Sequence, residues 1–138
     1  MIREAVTEDI PEIMALLAHL LVSSGALGKF DEDAVRASVI NMLDGEDSVV
    51  FRSRRGLISG FTMRAWHSPG WLMAVEMWWW AEDKQWIPLL RAFEQWARER
   101  GADEIRISAT TGPGDSKIRS IFGRAGFKPS EICYRKEI

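Results

Sequence analysis

Apolar residues recur three and four positions apart in two stretches near the start of the chain. The first stretch contains Ile13, Leu16, Leu17, Leu20 and Leu21, and the second contains Val35, Val39, Met42 and Leu43. This spacing places each set on one face of an α-helix. Asp9 and Glu12 have capping-box spacing at the start of the first helix, and Asp31 can cap the second. The pattern therefore predicts a short extended segment followed by two amphipathic helices.

The middle of the chain changes to the alternating pattern of β-strands. The stretch "SVVFRSRRGLISGFTMRAW" is typical of two strands joined at the turn "SRRG". Leu57, Phe61 and Met63 share one face of the second strand. A further turn at "SPG" leads into "WLMAVEMWWWA", which is rich in aromatic residues and predicts a long strand. We expect three strands here, joined by tight turns.

The last part of the chain alternates between helix and strand. A helix is predicted from Asp83 or Lys84 to Arg100, with Gly101 just past its end. The segments that follow are a strand "EIRISA", a loop "TTGPGD", a helix over 116–125 and a last strand "FKPSEICYRKEI". The order β-α-α-β-β-β-α-β-α-β indicates an α/β fold with a mixed, twisted sheet flanked by helices. We expect one domain over residues 1–138.

The composition narrows the classes of function. The chain is 46% hydrophobic and 28% charged, and its net charge of -2 disfavours nucleic acid as a partner. Cys133 is the only cysteine, so neither an intrachain disulfide nor a cysteine-based zinc site is predicted. No apolar run approaches the roughly 20 residues needed to cross a bilayer. We therefore expect a cytoplasmic protein without a membrane partner.

Glu76 opens a run with three consecutive tryptophans, "EMWWW". In a regular strand Glu76, Trp78 and Trp80 share one face of the sheet, and Met77 and Trp79 share the other. Indole rings around a carboxylate exclude water, which raises the pKa of the carboxylate toward a value useful for a general base. The simpler interpretation is a glutamate that faces solvent or pairs with an arginine such as Arg64 or Arg106, next to tryptophans that belong to the core. Both interpretations remain open.

Taken in this order, the segments resemble the GNAT superfamily of acyl-CoA-dependent N-acyltransferases over nearly the whole chain. The resemblance rests on "IREAVTEDIPEIMALL", "GLISGF", "LLRAFEQWARERGADEIRIS" and "DSKIRSIFGRAGFKP". The tryptophan run is similar to a Glu-x-x-Trp-Trp run in phage-encoded members. The resemblance implies a sheet split between its fourth and fifth strands, with acetyl-CoA as cofactor and its pantetheine along the fourth strand. The acceptor would be a small-molecule or protein amine, and the chain is compatible with a homodimer.

The same resemblance implies roles for individual residues. Glu76 matches the position of the family's general base on the fourth strand. The backbone of Trp80 and Glu82 would contact pantetheine, and Trp78 would form a wall of the acceptor pocket. His67 lies in the turn before this strand and would serve at the acceptor site, as a substrate-binding residue or an alternative base. These roles are expectations of the resemblance.

The chain departs from the family where a glycine-rich loop binds pyrophosphate. It has "AEDKQWIPLL" there, with two acidic residues and no glycine. The side chains of Lys84, Gln85 or Arg91 would have to hold the phosphates instead. Phe122 stands where many members have a tyrosine that protonates the thiolate. Two functions follow: an acyl-CoA-dependent N-acyltransferase with Glu76 as base, or a protein of this fold without coenzyme A binding that acts as a binding or assembly module.

Overall fold

In the computed structural model, residues 1–108 and 115–138 are described, the side chains of 115–118 excepted. The chain divides into two compact units, residues 1–107 and 108–138. In the first unit, the strands are β1 (Arg3–Glu4), β2 (Ser48–Arg52), β3 (Gly56–Ala65), β4 (Ser68–Ala81) and β5 (Glu104–Arg106). Its α-helices are α1 (Ile10–Ser24), α2 (Glu32–Asp44) and α3 (Trp86–Glu99). The elements follow the predicted order as far as the fifth strand.

The five strands form one sheet in the order β1-β2-β3-β4-β5. Antiparallel ladders join β1 to β2, β2 to β3 and β3 to β4, whereas β5 pairs with β4 in parallel. Tight turns join β2 to β3 and β3 to β4, whereas α1 and α2 lie between β1 and β2. The parallel pair requires a crossover, which α3 provides. The mixed sheet with flanking helices confirms the predicted α/β fold class.

Helices α1 and α2 cover one face of the sheet. Ile13 and Leu17 of α1 and Val39 of α2 are buried in one cluster with Val50 of β2 and Leu57 of β3. Each buried side chain of this kind stabilises the fold by about 1.5 to 3 kcal/mol relative to exposure. The apolar helix faces predicted from spacing are therefore the faces that form this core.

Helix α3 lies on the other face. Its Phe93 is fully buried, and a methyl group added at Gly60 of β3 would lie 2.6 Å from the Phe93 ring. Gly60 is three positions from Leu57, so the two residues face opposite sides of the sheet. The sheet is thus enclosed between α1 and α2 on one side and α3 on the other.

The start of α1 differs from the prediction at Asp9. Its carboxylate makes no capping hydrogen bond into α1. It accepts instead from the Arg3 guanidinium at 2.7 and 2.8 Å, from Arg52 Nη1 at 2.8 Å and from the Val6 N–H at 2.8 Å. Two arginines attract the carboxylate more strongly than the helix N–H groups do, because their hydrogen bonds are charge-assisted. Asp31 does cap α2, accepting from the Ala34 N–H at 3.0 Å.

The second unit contains α4 (Asp115–Arg124), close to the predicted bounds. The predicted last strand is wrong, because the described residues 127–138 contain no strand. Ile132 is 73% exposed and Tyr134 is 86% exposed, so the apolar residues of this segment form no buried face. Strand propensity reflects packing on a half-buried surface and does not produce a strand without one. Most of the loop "TTGPGD" lies outside the described residues.

Candidate functional site

Met77 is an extra residue in β4. Trp78 and Glu76 pair with two consecutive residues of β3, so Met77 lies between two successive pairs of the ladder. Such a β-bulge shifts the alternation of side chains by one position. Glu76 consequently lies on the opposite face of the sheet from Trp78 and Trp80. The prediction that Glu76, Trp78 and Trp80 share one face of the sheet is wrong, because it requires a regular strand and β4 has a bulge at Met77.

A cavity of about 260 Å³ opens beside the bulge, on the face that α1 and α2 cover. Met77 and Trp78 line it from β4, and α1, α2 and the connection between them complete its walls. The apolar side chains that these three segments contribute include Leu20, Leu21, Phe30 and Val35. Trp78 therefore lies at a pocket, as the acceptor-pocket prediction requires, and Met77 joins it because of the bulge.

Glu76 lies on the α3 side of the sheet, where β4 and β5 cease to pair. In the β3–β4 ladder it pairs with Gly60 of β3, and because Gly60 has no side chain, α3 has room to pack there. β5 pairs with β4 only over Met73–Val75, so Glu76 is the first residue beyond that ladder. Its side chain is half-buried. Glu76 thus stands between the end of one ladder and the bulge in the other.

The backbone groups of β4 alternate between the β3 side and the β5 side. The Glu82 N–H donates to the Arg55 carbonyl at 2.9 Å, and Trp80 pairs with Leu57 in the same ladder. The backbone of both residues therefore points toward β3, and that of Ala81 points the other way. The structure does not support the predicted contact of Trp80 and Glu82 with pantetheine through their backbone.

Glu82 is the centre of a polar cluster at the end of β4. Its carboxylate accepts from Arg55 Nη2 at 2.6 Å and from Trp80 Nε1 at 3.4 Å, and it contacts His19 Nδ1. These contacts, that of His19 first, lower the pKa of Glu82 below its ordinary value. His19 comes from α1 and Arg55 from the β2–β3 turn, so the local sequence carries no signal of either. Two basic side chains from other elements therefore engage this carboxylate.

The turn between β4 and α3 contains the residues predicted to hold phosphate. Asp83 accepts from the N–H groups of Arg55 at 2.9 Å and Gln85 at 3.4 Å. Burial acts to raise the pKa of Asp83, but hydrogen bonds such as these lower it below its ordinary value. Lys84 is exposed with a left-handed φ of 61°, and Arg91 is exposed on α3. Lys84 and Arg91 are accessible to an anion, whereas two acidic residues precede them.

His67 lies far from Glu76. It is exposed in the turn before β4, with its ring 5.2 Å from that of Trp66. Ser68 pairs with Ala65 of β3 and Glu76 pairs with Gly60, five positions away along β3, which is roughly 17 Å at about 3.3 Å per residue. The structure therefore does not bring the predicted pair together, because this length of the β3–β4 ladder separates them.

No group of three or more His, Cys, Asp or Glu side chains in the described part of the chain is arranged to hold a metal ion. Within residues 1–108 and 115–138, no helix combines the length and apolar character needed to span a bilayer. The candidate site thus consists of the β4 bulge with Glu76, the adjoining cavity and the polar cluster around Glu82.

No protein-family model matches this chain, and no curated protein matches it. Solved structures do match it. A probable acetyltransferase aligns with a TM-score of 0.74 at 18% identity, over 100% of this chain and 97% of that one. A predicted acetyltransferase with acetyl-CoA from Clostridium acetobutylicum aligns with a TM-score of 0.75 at 13% identity, over 99% and 95%.

An aminoglycoside acetyltransferase from an uncultured soil metagenomic sample aligns as well. Its TM-score is 0.71 at 12% identity, over 100% of this chain and 95% of that one. Identities of 12 to 18% show a shared fold and no more. The chain therefore shares its fold with these acetyltransferase structures, as the order of its segments predicts.

Proposed function

We propose that this protein is an acyl-CoA-dependent N-acyltransferase that moves an acetyl group from acetyl-CoA to an amine. The observation that carries the proposal is the match of its fold, over nearly the whole chain, to acetyltransferase structures, one of which contains acetyl-CoA. Strand β4 continues beyond its ladder with β5, and it has a bulge next to that point. Both features support the proposal.

Acetyl-CoA supplies a thioester carbonyl, which the amine nitrogen attacks while the C–S bond breaks, leaving an amide and a free thiol. Glu76 accepts the proton that the nitrogen loses, through a water molecule, and solvent returns a proton to the thiolate. The bulge supports this arrangement because it interrupts the ladder next to Glu76, and backbone N–H groups at such an interruption can polarise a carbonyl. General base catalysis of this kind contributes about 10² to 10⁴ in rate.

The residues fit the cofactor differently at its two ends. The bulge and the half-buried Glu76 suit the thioester end. At the phosphate end, Glu82 and Asp83 precede α3, and their negative charge opposes an anion. Lys84 and Arg91 are the exposed cations of this region, and we assign phosphate binding to their side chains.

Titration of the protein with acetyl-CoA by calorimetry tests the proposal. Saturable binding is expected, and dephospho-coenzyme A, which lacks the ribose phosphate, should bind more weakly. Arg91→Gln should weaken binding by about tenfold, the loss of one charge-assisted contact worth about 1.4 kcal/mol. Arg98→Gln, the same change in the last turn of α3, is the matched control and should have no effect. Absence of binding at millimolar coenzyme would end the acyltransferase proposal.

The second candidate function is a protein of this fold that binds no coenzyme A and acts as a binding or assembly module. The observation that favours it is the polar cluster, in which Arg55 and His19 already engage Glu82 where a phosphate group would need cations. The same titration separates the two functions, since only the acyltransferase requires saturable acetyl-CoA binding.

A further inference from the structure

The cavity beside the bulge is open to solvent on one side, and its walls are apolar except for two hydroxyl groups. Its lining comprises leucines of α1, Phe30, Val35, Met77 and Trp78, with Ser24 and Ser38 as the polar members. Among the described residues, none that lines it carries a charge. Its chemistry therefore differs from that of the neighbouring polar cluster, where Glu82 meets Arg55 and His19.

Because of the bulge, the described residues that line the cavity include no carboxylate. In a regular strand, with Met77 paired in the ladder, Glu76 would share the face of Trp78 and would line this pocket. With the bulge, Glu76 faces α3, and Met77 replaces it at the wall. A polycationic ligand in this cavity would lose water without gaining a counter-ion, which is unfavourable.

The two serines provide acceptors for hydrogen bonds. Ser24 Oγ donates to the Leu21 carbonyl at 3.0 Å, and Ser38 Oγ donates to the Ala34 carbonyl at 3.1 Å. Since each hydroxyl proton is engaged, each oxygen can act toward a ligand only as an acceptor. Acceptors without charge suit the N–H groups of a neutral amine.

The size of the cavity limits the ligand to a small molecule. At about 260 Å³ it exceeds the cavity of roughly 150 Å³ that binds benzene in a protein core. It therefore accommodates one ring with a short chain. Trp78 lines it, and an aromatic group of the ligand can pack against this side chain.

We propose that this cavity binds the apolar body of a small primary amine and so selects apolar amines over polycationic ones as acceptors. The selection for transfer rests on the proposed acyltransferase function, whereas the binding does not. Apolar walls favour the neutral form of the amine. That form carries the lone pair that attacks the thioester carbonyl as the C–S bond breaks. Since Glu76 faces α3, the displaced proton passes to it through water at the end of the β4–β5 ladder, not directly from the cavity.

Binding of phenylethylamine and spermidine to the full chain, measured by calorimetry without acetyl-CoA, tests the proposal first. Phenylethylamine should bind at least about tenfold more tightly than spermidine. Ser38→Phe places a ring inside the cavity and should weaken phenylethylamine binding by about tenfold or more. Ala37→Phe installs the same ring at the neighbouring exposed position of α2, and it should leave the affinity unchanged.

A second variant keeps the proposal testable if Ser38→Phe does not fold. Leu21→Ala enlarges the cavity, so the preference should shift from phenylethylamine toward naphthylethylamine by about tenfold. An unchanged preference in a folded Leu21→Ala protein would contradict the proposal.

Acetyl transfer to the two amines separates this proposal from the function on which it partly rests. If acetyl-CoA binds and spermidine is acetylated faster than phenylethylamine, the proposed preference for apolar amines is contradicted and the acyltransferase function is supported. If phenylethylamine binds and acetyl-CoA does not, the proposed amine site is supported and the acyltransferase function is contradicted. Equal binding of both amines, insensitive to Ser38→Phe, would overturn the apolar site itself.

Discussion

Gly60 determines how closely α3 approaches the sheet. A Cβ atom at this position would lie 2.4 Å from the Val75 carbonyl oxygen and 2.6 Å from two atoms of the Phe93 ring. Real Cβ atoms do not tolerate such distances, so either the β4 backbone or the buried ring would have to move. The glycine therefore serves packing, and its pairing with Glu76 links that packing to the candidate site.

Gly60→Ala should destabilise the protein by about 2 to 3 kcal/mol, because the extra methyl group overpacks a rigid interface. The midpoint of urea unfolding measures the change. Gly70→Ala is the matched control, because a Cβ there meets no described atom within 4 Å. Its effect should stay within about 0.5 kcal/mol. Equal midpoints for the two variants would contradict the packing argument.

Glu76→Gln tests the base role with an isosteric change. If Glu76 accepts the amine proton, kcat should fall by about 10² or more, and the acidic limb of the pH–rate profile should disappear. Acetyl-CoA affinity should stay unchanged, because the substitution leaves the phosphate end of the site intact. Glu94→Gln on α3 is the control. Unchanged kinetics in Glu76→Gln would remove Glu76 from the base role.

Among the elements, β1, β2 and the start of α1 are held together by one charge cluster. Asp9 receives hydrogen bonds from Arg3 of β1 and from Arg52 of β2, and Arg52 also pairs with Glu12 of α1. The Asp9 carboxylate and the Arg52 guanidinium are both more than nine-tenths buried. Arg3 first, with the Val6 N–H and Arg52, holds the pKa of Asp9 far below its ordinary value.

This cluster predicts loss of stability in acid. A carboxylate with a lowered pKa in the folded state stabilises the protein above its unfolded pKa of about 3.9, and this contribution is lost as the pH falls toward the folded pKa. The free energy of unfolding should therefore drop steeply below about pH 4. Chemical denaturation at a series of pH values measures it.

Asp9→Asn provides the comparison. The variant should be less stable at neutral pH by about 2 to 4 kcal/mol, because the buried Arg52 loses one of its two carboxylate partners. Its stability should vary less than that of the unmodified protein below pH ~4, since the titrating group is gone. Glu46→Gln, at an exposed carboxylate, should behave like the unmodified protein. Parallel pH curves for Asp9→Asn and the unmodified protein would show that Asp9 is not responsible.

At the scale of the whole molecule, the fold is compatible with both candidate functions. The sheet order and the flanking helices match acetyltransferase structures at identities of 12 to 18%. Such a match does not establish an activity, because one fold supports many activities and catalysis depends on the residues of the site. The two functions make different demands on the turn after β4, where the acidic Glu82 and Asp83 precede α3 and oppose a phosphate group. Acetyl-CoA binding is therefore the decisive measurement for the molecule as a whole.

The sequence by itself determined the elements and the fold class. The helical spacing of Ile13 and Leu17, the alternation in β3 and the cap at Asp31 all depend on neighbours within a few residues. Such patterns are visible along the chain because each reports which face of an element is buried. The same local reasoning predicted a strand at the end of the chain, and it was wrong there because a strand also requires a partner and a buried face.

Only the tertiary structure decided the chemistry around "EMWWW". The register of β4 against β3 makes Met77 a bulge, turns Glu76 toward α3 and leaves an uncharged cavity at Trp78. Glu82 meets His19 from 63 positions away and Arg55 from 27 positions away. Register and long-range ion pairs arise when separate elements pack, so no periodicity within one segment can specify them.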